Sequence, residues 1–310
     1  MKIYLAPLEG ITSFIYRRAV HDIFGDDYDA YFTPFISPRP KIGLQSKERR
    51  DLLPENNKGL NVIPQILSCN PEHFASLAND IHDSFGYEEI NLNCGCPSKT
   101  VVSRGRGSGM LKDPDELCRF LDTAFAKSKV RISVKTRLGI SDTEEFNDLL
   151  KVYNQFPLTE LIIHARVMTD YYKLPVRTGE IYDMIKECRM PVIYNGDIYK
   201  KDDCNDKLNK IGNPDNVSGV MLGRGAISNP ALAREINGGE PASKKEMRVF
   251  HDRLMSEYTE IFGGGTPLLF HMKELWSFMG SMYPDKEKAL KLIRKATDMP
   301  KYLAAVHEII

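Results

Sequence analysis

The sequence predicts an α/β protein, a (β/α)8 barrel of the TIM type followed by a small C-terminal all-helical domain. Three observations lead there. Eight short apolar runs rich in β-branched residues recur within roughly 240 residues, the span usual for such a barrel. Capped amphipathic stretches separate most of them, as parallel strands need crossover helices. The unusual polar residues and glycines gather at the ends of these runs, where a barrel keeps its active face.

The runs cover residues 3–6, 30–33, 62–67, 89–92, 130–135, 161–164, 191–194 and 219–222. Their near-continuous apolar character suits strands buried on both faces of a parallel sheet. Between them, Pro71-Glu72, Asp113-Pro114-Asp115-Glu116 and Ser141-Asp142-Thr143-Glu144-Glu145 open helices with capping side chains, proline in the first turn and early carboxylates. No Gly-x-Gly-x-x-Gly follows the first run, which speaks against a dinucleotide-binding doubly wound sheet. After Asn237-Gly238-Gly239-Glu240-Pro241 the strands stop. The rest reads as helices broken at Gly263-Gly264-Gly265 and Tyr283-Pro284, so the expected domains are 1–240 and 241–310.

Composition narrows the function. The chain has 310 residues, 42% of them hydrophobic, enough for a barrel-sized core. Lys plus Arg and Asp plus Glu both number 42, so any nucleic-acid contact must come from local patches. The six cysteines are scattered without zinc-ligand spacing, so no metal is expected. The opening Met1-Lys2-Ile3-Tyr4-Leu5-Ala6-Pro7 is too short for a secretory signal, and no run reaches membrane-spanning length. A cytoplasmic monomer is the expectation.

The strand ends carry Pro7-Leu8-Glu9-Gly10, Gln65, Asn93 and Cys96, Lys135 and Arg137, His164 and Arg166, Asn195-Gly196-Asp197, and Gly223-Arg224-Gly225. Alone, Gln65 is as well read as a strand end and Asn195-Gly196 as a turn. Together they outline a site. Glycines 196, 223 and 225, with Arg224 and a short helix near Ala226, form a candidate phosphate clamp at the last two strand ends, where barrels often hold a cofactor phosphate. Lys135, apolar-flanked, either meets an anion or pairs with a carboxylate across the barrel mouth.

The most distinctive stretch is Asn91-Leu92-Asn93-Cys94-Gly95-Cys96-Pro97-Ser98-Lys99-Thr100, followed by the glycine-rich basic loop Ser103-Arg104-Gly105-Arg106-Gly107-Ser108-Gly109. A thiol at a strand end beside a mobile cationic loop points to chemistry on a polyanion. Residues two apart in a strand share a face, so the pattern alone leaves Cys94 beside Cys96 as a candidate. Gly95 and Pro97 mark Cys96 as already in the loop.

These motifs resemble those of the tRNA-dihydrouridine synthases, in order along the whole chain. Ala6-Pro7-Leu8-Glu9-Gly10-Ile11-Thr12 is similar to the family's opening flavin loop, and Asn93-x-Gly95-Cys96-Pro97, Lys135-Thr136-Arg137-Leu138-Gly139, His164-Ala165-Arg166, Asn195-Gly196-Asp197-Ile198 and Gly223-Arg224-Gly225-Ala226 match later motifs. The resemblance implies FMN held by Pro7, Leu8, Glu9, Gln65, Lys135, His164, Asn195, Gly196, Asp197, Gly223 and Arg224. It implies Cys96 as proton donor, Asn93, Arg137 and Tyr172 facing the uridine, and NADPH or NADH as electron donor. The Cys-Gly-Cys-Pro-Ser-Lys form looks most like enzymes acting at position 16 of the tRNA D-loop. His271-Met272-Lys273-Glu274-Leu275-Trp276 looks like part of the family's RNA-binding tail. Basic residues that would grip tRNA are Lys99, Arg104 and Arg106 in the loop. Arg39, Lys41, Lys47, Arg49 and Arg50 lie in the second connection, and Lys244, Lys245, Arg248, Lys291, Arg294 and Lys295 in the tail. A flavin barrel acting on a free pyrimidine such as dihydroorotate shares the cofactor residues but leaves the tail and basic loops without a task. A non-catalytic RNA-binding module leaves Cys96 without one.

Overall fold

The computed structural model describes residues 1–39, 42–212 and 215–310; Lys41, one of the basic residues of the second connection, lies outside them. Nine parallel strands form one sheet: β1 (Lys2–Leu5), β2 (Ala30–Phe32), β3 (Val62–Ile63), β4 (Gln65–Ile66), β5 (Glu89–Cys94), β6 (Arg131–Arg137), β7 (Leu161–His164), β8 (Val192–Asn195) and β9 (Val217–Leu222). The order is β3-β2-β1-β9-β8-β7-β6-β5-β4, so the two edges are consecutive in the chain and the sheet rolls into a barrel.

The sequence leads one to expect eight strands. The extra one arises because the run 62–67 is split at Pro64. Proline has no N–H to continue a ladder; β3 pairs with β2 through Tyr31↔Val62, while β4 pairs with β5 through Gln65↔Asn91. Both halves occupy one stave, so the barrel keeps its eight positions. Two further corrections concern strand ends. β5 continues to Cys94 and β6 to Arg137, because the pairings Asn93↔Lys135, Cys94↔Thr136 and Arg137↔His164 extend the ladders past the apolar run. Asn93, Cys94 and Arg137 are therefore strand residues.

The helices start where their caps predict. Asn70 accepts from the N–H of His73 at the head of helix Pro71–Phe85, and Asp113 from that of Glu116 at the head of Pro114–Lys127. The third begins later than Ser141: Glu145 opens helix Glu145–Tyr153 and its carboxylate accepts from the N–H groups of Ile140, Ser141 and Asp142.

Inside the barrel, Tyr4, Phe32, Ile63, Ile162, Ile193 and Met221 pack together. Around it, the strands' outer faces, the helices and the tail form one apolar core. Helix Lys244–Phe262, opened by the Ser243–Glu246 capping box and closed by left-handed Gly263, lays Phe250 against Tyr16 and Phe24 of helix Phe14–Phe24 with ring centroids 5.6 and 5.2 Å apart. Helix Gly265–Met279 follows, then Glu287–Lys295 and Met299–His307 after the break at Tyr283-Pro284.

Candidate active site

A chain of buried amides sets the cysteine turn. Gln65 donates to the Asn91 side-chain oxygen at 2.7 Å, Asn91 donates to Ser133 Oγ at 2.9 Å, and Asn93 donates to Gln65 Oε1 at 2.7 Å. That leaves the Asn93 carbonyl oxygen to accept from the backbone N–H groups of both Gly95 and Cys96 at 3.0 Å, an Asx-type turn that takes the chain off the strand. From the other side, Arg137 Nε donates to the Gly95 carbonyl at 2.9 Å, while its Nη1 anchors on the carbonyls of Val167 and Tyr171. The two cysteines consequently part. Cys94 is fully buried with its sulfur 3.9 Å from Met110 Sδ, and Cys96 lines a cavity.

The basic segment after Cys96 is not an open loop: Lys99–Val102 and Gly107–Lys112 form short helical turns, and the Ser108 N–H donates to the Cys96 carbonyl at 3.0 Å. Gly107 permits this closure. Its φ is +58°, and a Cβ there would lie 2.7 Å from the Cys96 oxygen. Burial pushes the Cys96 thiol up, against a backbone hydrogen bond from Ser98 and the charges of Arg137 and Lys135, which pull it down.

Across the cavity the strand ends β6 to β9 build a cationic wall. Lys135 Nζ donates to Asn195 Oδ1 at 2.9 Å, and Asn195 donates to the Met221 carbonyl at 2.7 Å. Lys135 has no carboxylate within ion-pair distance among the described residues, and burial, with Arg137 adding, pulls its ammonium down to about 7. The Asp197 carboxylate is gripped by Arg166 at 2.5 Å and Arg224 at 2.8 Å. Arg224 also lies 4.8 Å from the ring of Tyr172 and 5.8 Å from that of Tyr199, within cation–π range. Gly196, at φ +142°, brings its backbone against His164 and Val176, whose atoms a Cβ would approach to 3.4 and 2.6 Å.

The cavity measures about 450 Å³, within the range of cofactor and small-molecule sites. Pro7, Leu8, Glu9, Asn93, Cys96, Lys135, His164, Tyr172, Asn195, Gly196, Asp197, Gly223 and Arg224 all line it. Gln65 and Arg137 do not: Gln65 is fully buried in the amide chain, and Arg137 stands behind the Gly95 turn, 5.2 Å from the Tyr172 ring. The sequence reading missed Phe35 and Tyr199, which line the cavity, and Glu274 and Phe278, which the tail helix Gly265–Met279 brings to its wall. Phe35 and Tyr199 follow strand ends and were open to the same reasoning; nothing local to 274 or 278 points at a barrel mouth.

Of the basic residues, Arg39 pairs with Glu48, Lys47 with Glu9 at 3.3 Å, and Lys291 with Glu287. Lys99, Arg104, Lys244 and Lys245 are exposed with no carboxylate within ion-pair distance among the described residues. Among those residues no group of His, Cys, Asp or Glu could hold a metal ion, and no helix is long and apolar enough to cross a membrane.

Parallel barrels work at the C-terminal ends of their strands, and a cavity there with a thiol on one wall and a cluster of cations on the other marks a barrel enzyme. Within that class the chain belongs to the dihydrouridine synthase family, whose model, Dihydrouridine synthase (Dus), matches residues 4–303. It is 27% identical over 321 residues to a tRNA-dihydrouridine(16) synthase of Shigella flexneri, covering 100% of this chain and 98% of that one. To a tRNA-dihydrouridine(16) synthase of Haemophilus influenzae it is 31% identical, over 75% of this chain and 76% of the other. A tRNA-dihydrouridine synthase B of Pasteurella multocida is 28% identical, over 95% and 82%. Among solved structures, the old yellow enzyme homologue from Zymomonas mobilis superposes with a TM-score of 0.54 over 79% of this chain and 91% of that one at 12% identity, a likeness of fold.

Proposed function

We propose that the cavity takes FMN and that the protein reduces the C5–C6 bond of a uridine in tRNA, at position 16 of the D-loop as the names of its relatives have it, with NADPH or NADH as the source of reducing equivalents. The observation that carries this reading is a half-buried thiol and a lysine without a carboxylate partner among the described residues, on the walls of one cavity. The residues present fit the cofactor. Lys135 offers its ammonium, hydrogen-bonded to the neutral amide of Asn195, to an anionic ring edge. A Cβ at Gly223 would meet nothing but Ala6 at 3.7 Å, so the glycine leaves open the space a phosphate would take beside Arg224. Pro7, Leu8, Glu9, His164, Asn195, Gly196 and Asp197 complete the pocket, Asp197 by holding Arg224 in position. Gln65 contributes from beneath, through Asn93.

FMN, when bound, supplies the hydride that goes to C6 of the uracil. Cys96 supplies the proton: its S–H bond breaks as a C–H bond forms at C5. Burial keeps the thiol protonated at neutral pH, so a proton is there to give. The thiolate left behind faces Lys135 and Arg137, which both favour it. Asn93 and Tyr172 face the base, and Arg137 acts by pinning the Gly95 turn. Uracil in folded tRNA is stacked, so the base must be extruded into the cavity. Lys99, Arg104, Lys244 and Lys245, with Arg49, Arg294 and Lys295, are exposed cations available to the phosphates around it.

Flavin titration tests the cofactor. The protein should bind one FMN non-covalently, with a visible absorption band that shifts on binding, and Lys135→Ala should weaken that binding or slow its reduction by the nicotinamide. A protein that takes up no FMN would remove the redox reading altogether.

A further inference from the structure

Arg166 is buried beside the cavity, at 2% exposure, without lining it. Its Nε donates to the Leu174 carbonyl at 2.7 Å, its Nη1 and Nη2 clasp the two oxygens of Asp197 at 3.1 and 2.5 Å, and Nη1 also lies 3.0 Å from Nε2 of His164. A guanidinium has five N–H donors and no acceptor. At that separation His164 Nε2 can only accept, so it carries no proton, and the single N–H of a neutral imidazole must sit on Nδ1. The Cδ2 edge of the ring faces Gly196, where a Cβ would stand 3.4 Å away. What remains open to the cavity is the Nδ1 edge, and no described group takes a hydrogen bond from it.

We infer that the Arg166–Asp197 pair is a tautomer lock, which holds His164 as a neutral Nδ1–H donor aimed into the cavity. Arg166 is thus a positioning residue. The lock follows from the protein's own contacts, whatever the cavity binds, and it sets the chemistry of the ligand atom at His164: an acceptor such as a carbonyl oxygen, a ring nitrogen lone pair or a phosphate oxygen. It also removes His164 from proton transfer. The charged groups that act most on the ring, Lys135, Arg137, Arg166 and Arg224, are all cationic; of the carboxylates that share the cavity wall, Glu9, Glu274 and Asp197, the last is held by Arg166 and Arg224. The neighbouring ring of Tyr172 lies 5.8 Å away, centroid to centroid. Burial first, and those cations second, hold the imidazole well below its ordinary range.

Nitrogen-15 NMR of the full-length, histidine-labelled protein tests this without any ligand. The signals of His164, one of seven histidines, are identified by their loss in His164→Gln. They should report a protonated Nδ1 and a bare Nε2, unchanged between about pH 5 and 8, where an ordinary histidine titrates. Arg166→Met should shift them toward a mixture of tautomers or a visible titration, and Arg166→Lys, which keeps a donor for Nε2, should restore part of the Nδ1–H pattern. An Nε2–H tautomer in the wild-type protein, a titration in that range, or a pattern indifferent to Arg166→Met would overturn the lock. If Arg166→Met does not fold, the wild-type spectrum decides alone. FMN binding is measured separately, so a protein with the lock intact and no flavin affinity would contradict the proposed function and leave this inference standing.

Discussion

Cys94 and Cys96 differ by one turn of backbone and by everything in their surroundings. The Cys-Gly-Cys-Pro pattern left both open, because alternation along a strand puts residues two apart on one face. What separates them is the Asn93 side chain, which accepts two successive N–H groups and turns the chain before Cys96, a contact invisible until Gln65 and Asn93 are neighbours in space. Cys96→Ala should keep flavin binding and nicotinamide oxidation while losing turnover on tRNA by roughly 10²-fold or more, the usual worth of a positioned acid. Cys94→Ala should stay substantially active and lose about 1 kcal/mol of stability from the gap beside Met110. Rapid-mix assays of both variants would show an error of assignment if Cys94 proved the essential one.

Lys135 is the second residue whose role turns on burial. Its native pKa of about 7 lies below the roughly 10.4 of an unfolded lysine. Between those values the unfolded chain binds more protons than the native one, so stability from this group rises with pH across that window and is lowest at and below about 7. Flavin-free Lys135→Met should therefore melt above flavin-free wild type near pH 7, with the gap narrowing toward pH 9 or so. Melting curves that coincide at both pH values would mean the half-buried ammonium carries no penalty.

At the scale of elements, the apolar runs gave away the staves because parallel strands are buried on both faces and leave an unbroken apolar signal. Their polar ends were legible as a site for a related reason: a Lys, His or Asn closing such a run is costly to bury unless a ligand or a protein group meets it. The limits were physical too. Pro64 splits one stave between two neighbours, and the extra strand follows from which ladder each half joins, not from propensity. The glycines of the basic segment read as mobility, yet Gly107 is there to let the chain fold back onto Cys96. Gly107→Ala should cost about 1–3 kcal/mol through backbone strain and the close Cβ contact. It should lower turnover more than it lowers flavin affinity, since the contact is with the cysteine turn and not the cationic wall. Chemical denaturation paired with flavin titration separates the two, and equal loss of both would contradict that division.

At the scale of the molecule, balanced charge coexists with a local gathering of cations, Lys135, Arg137, Arg166 and Arg224, at one wall of the cavity. The tail was recognisable as helical from the end of the strand pattern and its glycine and proline breaks. Its partner was not, because an amphipathic pattern says which face is buried but not against what. The structure packs it onto helix Phe14–Phe24 and brings Glu274 and Phe278 to the cavity, so cutting the chain near 241 would strip apolar core and cavity wall together. The role of the tail is better tested by changing its exposed cations in the intact protein. The account as a whole stands on its substrate. The most direct measurement offers the purified, FMN-loaded protein with NADPH both unmodified tRNA and free uridine, and maps dihydrouridine by mass spectrometry. The expected result is dihydrouridine at position 16 of tRNA, none with Cys96→Ala, and negligible reaction of free uridine; efficient turnover of a free pyrimidine with tRNA left unreacted would contradict it.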